Sequence, residues 1–189
     1  DTLDFSNEPT GVTINPLNNH IFISHDNSGG SIFEVDPGPD TEYWTGDDTV
    51  TTLALSGVIG ATDAEGVAVG DNKVFIGAGI DTQVYMFDMG ADGVMGGGDD
   101  GAISSFDTSS PAGIHDLEGI EYNPEAGTLF LASTYGSCFS MIKEFTDSGG
   151  QAFFIPGNRD FLCGKIFKKE NWCFHRRFNI LGFYFRYFS

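Results

Sequence analysis

The sequence predicts an all-β chain built from repeated four-stranded units. Two observations carry that reading. Glycine and phenylalanine are abundant, at 26 and 18 of 189 residues, and short alternating apolar runs recur between turn residues. One motif also appears three times at near-constant spacing, an acid two residues before Thr-Gly or Glu-Gly, followed by alternating apolar residues.

The copies are EPTGVTINP at 8–16, DAEGVAVGD at 63–71 and DLEGIEYNP at 116–124. Their glycines, Gly11, Gly66 and Gly119, are 55 and 53 residues apart. Each copy reads as a first strand, because alternation of apolar and polar residues marks a half-buried strand. A second strand follows each turn: HIFIS at 20–24, KVFIG at 73–77 and TLFLA at 128–132. Third strands follow in two copies, SIFEV at 31–35 and QVYMF at 83–87. Fourth strands are TVTTL at 49–53 and AISSF at 102–106. Four short strands per unit of this length is the pattern of a β-propeller blade. A β-solenoid is the other repeat architecture, with a usually shorter period.

The repeats resemble the bacterial propellers of the phytase-like, esterase-like and NHL-type group over about residues 6–133. The expected fold is therefore an incomplete β-propeller of about two and a half four-stranded blades, with a short, poorly integrated α/β-like C-terminal tail. A ring closes with at least ~4 blades, so open blade edges and self-association through them are expected.

Charge divides the chain sharply. Residues 1–142 hold 23 Asp and Glu against one basic residue, Lys73, while residues 143–189 hold 8 Lys and Arg against 4 acids. A surface this acidic repels nucleic acid and anionic lipid and attracts cations. No apolar run is long enough to span a membrane. Cys138, Cys163 and Cys173 all lie in the last third, and their spacing fits no zinc pattern. The acidic, cysteine-free, lysine-poor segment fits an extracellular or periplasmic bacterial protein.

Two sets of carboxylates stand out. The loops between third and fourth strands, DPGPDTEYWTGDD at 36–48 and DMGADGVMGGGDD at 88–100, superimpose at an offset of 52. Their acids are Asp36, Asp40, Asp47 and Asp48 in the first, and Asp88, Asp92, Asp99 and Asp100 in the second. Calcium takes six to eight oxygens from a loop that curls around it, and a glycine-hinged loop with spaced carboxylates does this. Gly38 and Gly90 stand where a further ligand would be, so a degenerate calcium loop and a hairpin loop with solubilising aspartates are both open readings. The second set, Glu8, Asp63, Glu65, Asp116 and Glu118, precedes the repeat glycines. Resemblance to phytase-like propellers implies that these acids could meet at one channel rim and hold metal ions, but without a closed ring that convergence is not expected to form. The other reading is a turn cap facing solvent. His20, His25 and His115 lack a neighbouring nucleophile motif and read as surface residues.

The tail reads differently. Apolar residues at 141, 142 and 145 have helical spacing, stopping at the glycine pair 149–150, although SMIKEF at 140–145 also falls at about the right offset for the third strand of the third unit. QAFFIP at 151–156 reads as a buried strand. The run FTDSGGQAFFIPGNRDFLCGKIFKKE resembles the calcineurin-like metallophosphoesterases, nearest to UDP-2,3-diacylglucosamine hydrolase, over about residues 141–170. That resemblance implies a metal-ligand role for Asn158 and a substrate-phosphate contact for Arg159. The family's upstream Asp-x-His and three downstream histidines are absent, with only His175 following. Residues 171–189 match neither family, and eight of these 19 are Trp, Phe or Tyr. They read either as a basic-aromatic surface-binding tail or as out-of-frame translation. The expected segments are a propeller-type repeat over 1–138, a phosphoesterase-like fragment over 139–170 and an unassigned tail over 171–189. Together they read as a joined sequence.

No complete catalytic constellation is present. The functional expectation is an acidic, extracytoplasmic, non-enzymatic binding or scaffolding module, with calcium stabilisation open. Two alternatives stand beside it: a fragment of a phytase-like or esterase-like propeller hydrolase, and an inactive fragment of a UDP-2,3-diacylglucosamine hydrolase.

Overall fold

The computed structural model describes residues 6–26, 29–56, 63–79, 82–109, 114, 116–135, 139–146 and 151–153. His115, Asn158, Arg159, the three cysteines and the segment 171–189 lie outside the described residues. The described residues form strands, turns and no helix. Blade 1 contains β1 (Pro9–Ile14), β2 (Ile21–His25), β3 (Ser31–Asp36) and β4 (Thr49–Ala54). Blade 2 contains β5 (Ala64–Gly70), β6 (Lys73–Ala78), β7 (Gln83–Asp88) and β8 (Ser104–Asp107). Blade 3 contains β9 (Leu117–Asn123), β10 (Thr128–Tyr135), β11 (Phe139–Thr146) and β12 (Gln151–Phe153). Each blade is a separate four-stranded antiparallel meander. The architecture is all-β, an incomplete propeller.

Local sequence explains the strand joints. Asp71 and Asn72 carry φ of 49° and 56° between β5 and β6. Both central residues of a two-residue type I′ hairpin need positive φ, and Asp and Asn tolerate it. Of the two readings of this segment, the helix over 141–150 is corrected and the third strand at SMIKEF is the one the structure forms: β11 pairs with β10 from Thr128↔Thr146 to Tyr135↔Phe139. A short apolar run fits either period, and the unpaired edge of β10 decides between them, because its backbone groups need partners. The expected half of a third blade thus extends to four strands. The boundary drawn after residue 138 falls between β10 and β11 of one sheet.

Alternation gives every blade two faces, and adjacent blades bury them against each other. Phe22 and Ile32 of blade 1 pack with Val67, Val69, Val74 and Ile76 of blade 2. On its opposite face, blade 2 presents Ala68, Phe75 and Val84 to Ile120, Tyr122, Leu129 and Leu131 of blade 3. Phe75 and Tyr122 stack there, with centroids 5.5 Å apart and planes 10° apart. The three innermost strands touch in sequence, β1 on β5 and β5 on β9.

The repeat glycines mark those contacts. A Cβ on Gly11 would meet Gly66 Cα at 3.0 Å and Val67 N at 3.1 Å. One on Gly66 would meet Ile120 N at 3.2 Å and Gly119 Cα at 3.3 Å. The motif therefore requires glycine because inner strands approach backbone to backbone.

Candidate metal centre

The propeller gathers carboxylates where the inner strands begin. Glu8 precedes β1, Asp63 precedes β5 and Asp116 precedes β9, while Glu65 and Glu118 lie near the starts of β5 and β9. Antiparallel pairing brings the end of each second strand to the same rim. Asp26 follows β2 there, and its N–H donates to the Glu8 carbonyl at 3.4 Å. Blade packing then sets Asp26 against blade 2, and carboxylate oxygens of Asp26, Asp63 and Glu65 lie within 4.8 Å of one another. This is the one such three-carboxylate group among the described residues. These residues could hold a metal ion.

The electrostatics of the rim follow from its crowding. Burial, then the charges of Asp63 and Glu8, raise the Asp26 carboxyl above its ordinary value, against a lowering by His25 and a backbone hydrogen bond. Burial, then Asp63, Asp26, Glu118 and Asp116, raise Glu65 in the same direction. Like charges disfavour ionisation, and a divalent cation reverses that. Adjacent blades alone bring these acids into mutual range. Lys73, the lone Lys or Arg among residues 1–142, begins β6 at the far end of the strand from this rim.

Asp26 was not legible in the repeat. It aligns with Gly79 after β6, not with the acids before the first strands. A Cβ at Gly79 would meet Asp63 Oδ2 at 2.7 Å and Glu65 Cγ at 3.0 Å, so the same spot in blade 2 is left empty for these side chains. An acid directly after a second strand was the available signal.

The two aspartate loops adopt one conformation. Gly38 and Gly90 both have φ of 69°, Thr41 and Gly93 have 60° and 68°, and Trp44 and Gly96 have 68° and 83°. Their carboxylates cap the same backbone positions. Asp36 accepts from Gly38 N at 2.9 Å and Asp88 from Gly90 N at 3.0 Å. Asp40 accepts from Glu42 N at 2.9 Å and Asp92 from Val94 N at 3.1 Å. Asp48 accepts from Trp44 N at 2.5 Å and also from Thr45 N at 3.1 Å, and Asp100 accepts from Gly96 N, the counterpart of Trp44 N, at 2.8 Å. Asp47 accepts from Thr45 Oγ1 at 2.6 Å, which holds its carboxyl below the ordinary value. Asp99 accepts from Ala91 N at 2.7 Å. A Cβ on Gly38 or Gly90 would strike the Asp47 or Asp99 carboxylate, so these glycines make room for a folded-over aspartate. Asp100 Oδ1 is buried and has no hydrogen-bond partner.

The histidines depart from their expected exposure. His20 is buried, with Nδ1 2.7 Å from Glu34 Oε1 and Nε2 3.4 Å from Asp36 Oδ1. Glu34 is itself only 1% exposed and accepts from Met95 N of the second loop at 2.7 Å. Burial raises the Glu34 carboxyl above its ordinary value, and the His20 and Met95 hydrogen bonds oppose that. Asn15 and Asn18 add donations to the Gly93 carbonyl, both at 3.3 Å. His20 and Glu34 thus latch blade 2's loop onto blade 1. His25 is half-buried, with Nδ1 2.9 Å from Ser6 Oγ and its ring tilted against Phe33.

No protein-family profile matches the chain, and no curated protein matches it. Solved structures do resemble it. A chain in the crystal structure of a nidogen/laminin complex is 17% identical, over 75% of this chain and 45% of its own, with a TM-score of 0.55. A glucose dehydrogenase structure is 18% identical, over 67% of this chain and 37% of its own, with a TM-score of 0.43. The first likeness is one of fold, and the chain spans less than half the length of either. Fold and rim together define a β-propeller-type module with an acidic cluster at one rim. Among the described residues, no helix is long and apolar enough to cross a membrane.

Proposed function

We propose that the chain is an acidic, extracytoplasmic β-propeller-type binding and scaffolding module that takes up calcium at the Asp26–Asp63–Glu65 rim. One observation carries the reading: three carboxylates from two blades lie within 4.8 Å of one another. Calcium favours such a set because it accepts carboxylate oxygens in flexible geometry and completes its shell with water. The ion offsets the burial cost and the mutual repulsion that raise Asp26 and Glu65, and it ties two blades that share no strand ladder.

Calorimetric titration with calcium chloride tests this. The wild-type chain binds calcium and melts at a higher temperature with it than in EDTA. Asp26→Asn and Glu65→Gln abolish the rim isotherm and its share of the melting shift while leaving the β-sheet circular dichroism intact. An unchanged melting temperature with and without millimolar calcium rules the reading out.

A second cation position is proposed in the loop 88–100, on the buried Asp100 Oδ1 that no hydrogen bond satisfies. The equivalent loop 36–48 shares its backbone. Asp100→Asn separates the two positions, because it removes loop binding and leaves the rim isotherm unchanged.

A further inference from the structure

We infer that two copies of this chain associate head to tail, blade 3 of each against blade 1 of the other, and close a six-sheet ring. The argument begins with strand register. Val12, Ile14, Ile21, Ile23, Phe33 and Val35 share one face of blade 1, because antiparallel partners point the same way. Their counterparts in blade 2 are Val67, Val69, Val74, Ile76, Tyr85 and Phe87. Every one of those six is at least nine-tenths buried, in the core that blade 2 shares with blade 1. In blade 1 the outer part of that face is already covered, with Ile23, Phe33 and Val35 buried and Tyr43 packed against them, and its inner edge is open: Val12 is 69% exposed and Ile14 54%. Trp44, 52% exposed, borders a groove over this face with Thr10, Gly11, Val12, Ile21 and Ile23.

The complementary half lies at the other end of the chain. Phe22 and Phe75 occupy the same second-strand position on the faces that blades 1 and 2 turn toward the next blade. Both are fully buried in those interfaces. Phe130 is the third member of that series on β10, and it is only half-buried. The glycine series ends the same way. A Cβ on Gly119 would meet only Ala132 Cβ, at 3.7 Å, where Gly11 and Gly66 meet the backbone of the next inner strand. Blade 3 thus offers the knob, and blade 1 the surface that receives such a knob in both existing interfaces. These faces lie on opposite sides of blade 2, so one copy does not bring them together. Two copies supply six sheets, within the ~4–8 blades of closed propellers. A two-fold axis along the ring axis then satisfies both interfaces at once.

Light scattering and sedimentation of the full 189-residue chain over a concentration series test the inference. The expected result is a saturating dimer, at twice the 20.4 kDa chain mass. Ile14→Glu changes an exposed residue and yields a monomer with unchanged circular dichroism and melting of the blades. Phe130→Gln also yields a monomer, which separates head-to-tail pairing from a blade 1 to blade 1 contact. A wild-type chain that stays monomeric overturns the inference, whether residues 154–189 or nothing covers the face. So does an open-ended ladder of oligomers, or a dimer that survives either substitution.

Discussion

Gly66 is held between two backbones, and its neighbours in the series define what the position costs. Gly66→Ala forces apart strands that approach within 3.2–3.3 Å of the added methyl, so it destabilises the fold by about 1–3 kcal/mol. Gly119→Ala meets an ordinary 3.7 Å contact and stays within about 0.5 kcal/mol of wild type in the monomer. Urea unfolding of both variants under monomeric conditions checks the contrast, and equal losses contradict it. Glu34→Ala leaves the His20 ring and the Met95 N–H without their shared acceptor, at a cost of about 1–3 kcal/mol. At this scale the sequence was readable where a residue repeats. The three glycines announced the inner strands, but His20 and Glu34 have no partners in the other copies. Their equivalents are Lys73 and Met86, so the buried pair left no periodic trace.

The rim behaves as an element, because its acids come from different strands and titrate together. Asp26 and Glu65 hold protons more tightly in the folded chain than unfolded. Their stabilising contribution is therefore complete below the ordinary values of 3.8 and 4.5, and is lost as pH rises through the raised folded values. Buried Glu34 acts in the same direction. In EDTA, the melting temperature rises as pH falls from neutrality toward the ordinary carboxylate values of 3.8 and 4.5, and calcium flattens that slope. Asp26→Asn in EDTA removes the burial cost of the charge and its repulsion with Asp63 and Glu8, and so raises the melting temperature. Melting curves across that pH range decide it; stability that rises with pH refutes the sign. The channel-rim acids were visible in the sequence because they precede a repeated glycine. Asp26 was not, because only sheet pairing carries the end of β2 back to the start of β1. For β11 the same cause works in reverse: its periodicity was ambiguous, and the waiting edge of β10 made it a strand.

At the scale of the molecule, blades rather than segments are the units. The repeat spacing reported their number and order, since each copy of the motif begins one sheet. It offered SMIKEF, within β11, as a third strand at about the repeat offset, but no fourth strand, because the residues of β12 carry no repeat signature. Net charge also belongs to this scale. Each copy carries −18, so pairing brings like charges together and the dimer strengthens as salt screens them. Sedimentation at low and high sodium chloride measures that trend, and a dimer that dissociates with added salt contradicts the apolar interface.

Beyond the chain that links them, blades 1 and 2 are joined by packing and side-chain hydrogen bonds, with no main-chain to main-chain hydrogen bond between them among the described residues. An ion gripped by Asp26 on one and by Asp63 and Glu65 on the other would act as a rivet. Pulled along the chain, the riveted pair would rupture in one event, and the calcium-free pair would peel sheet by sheet.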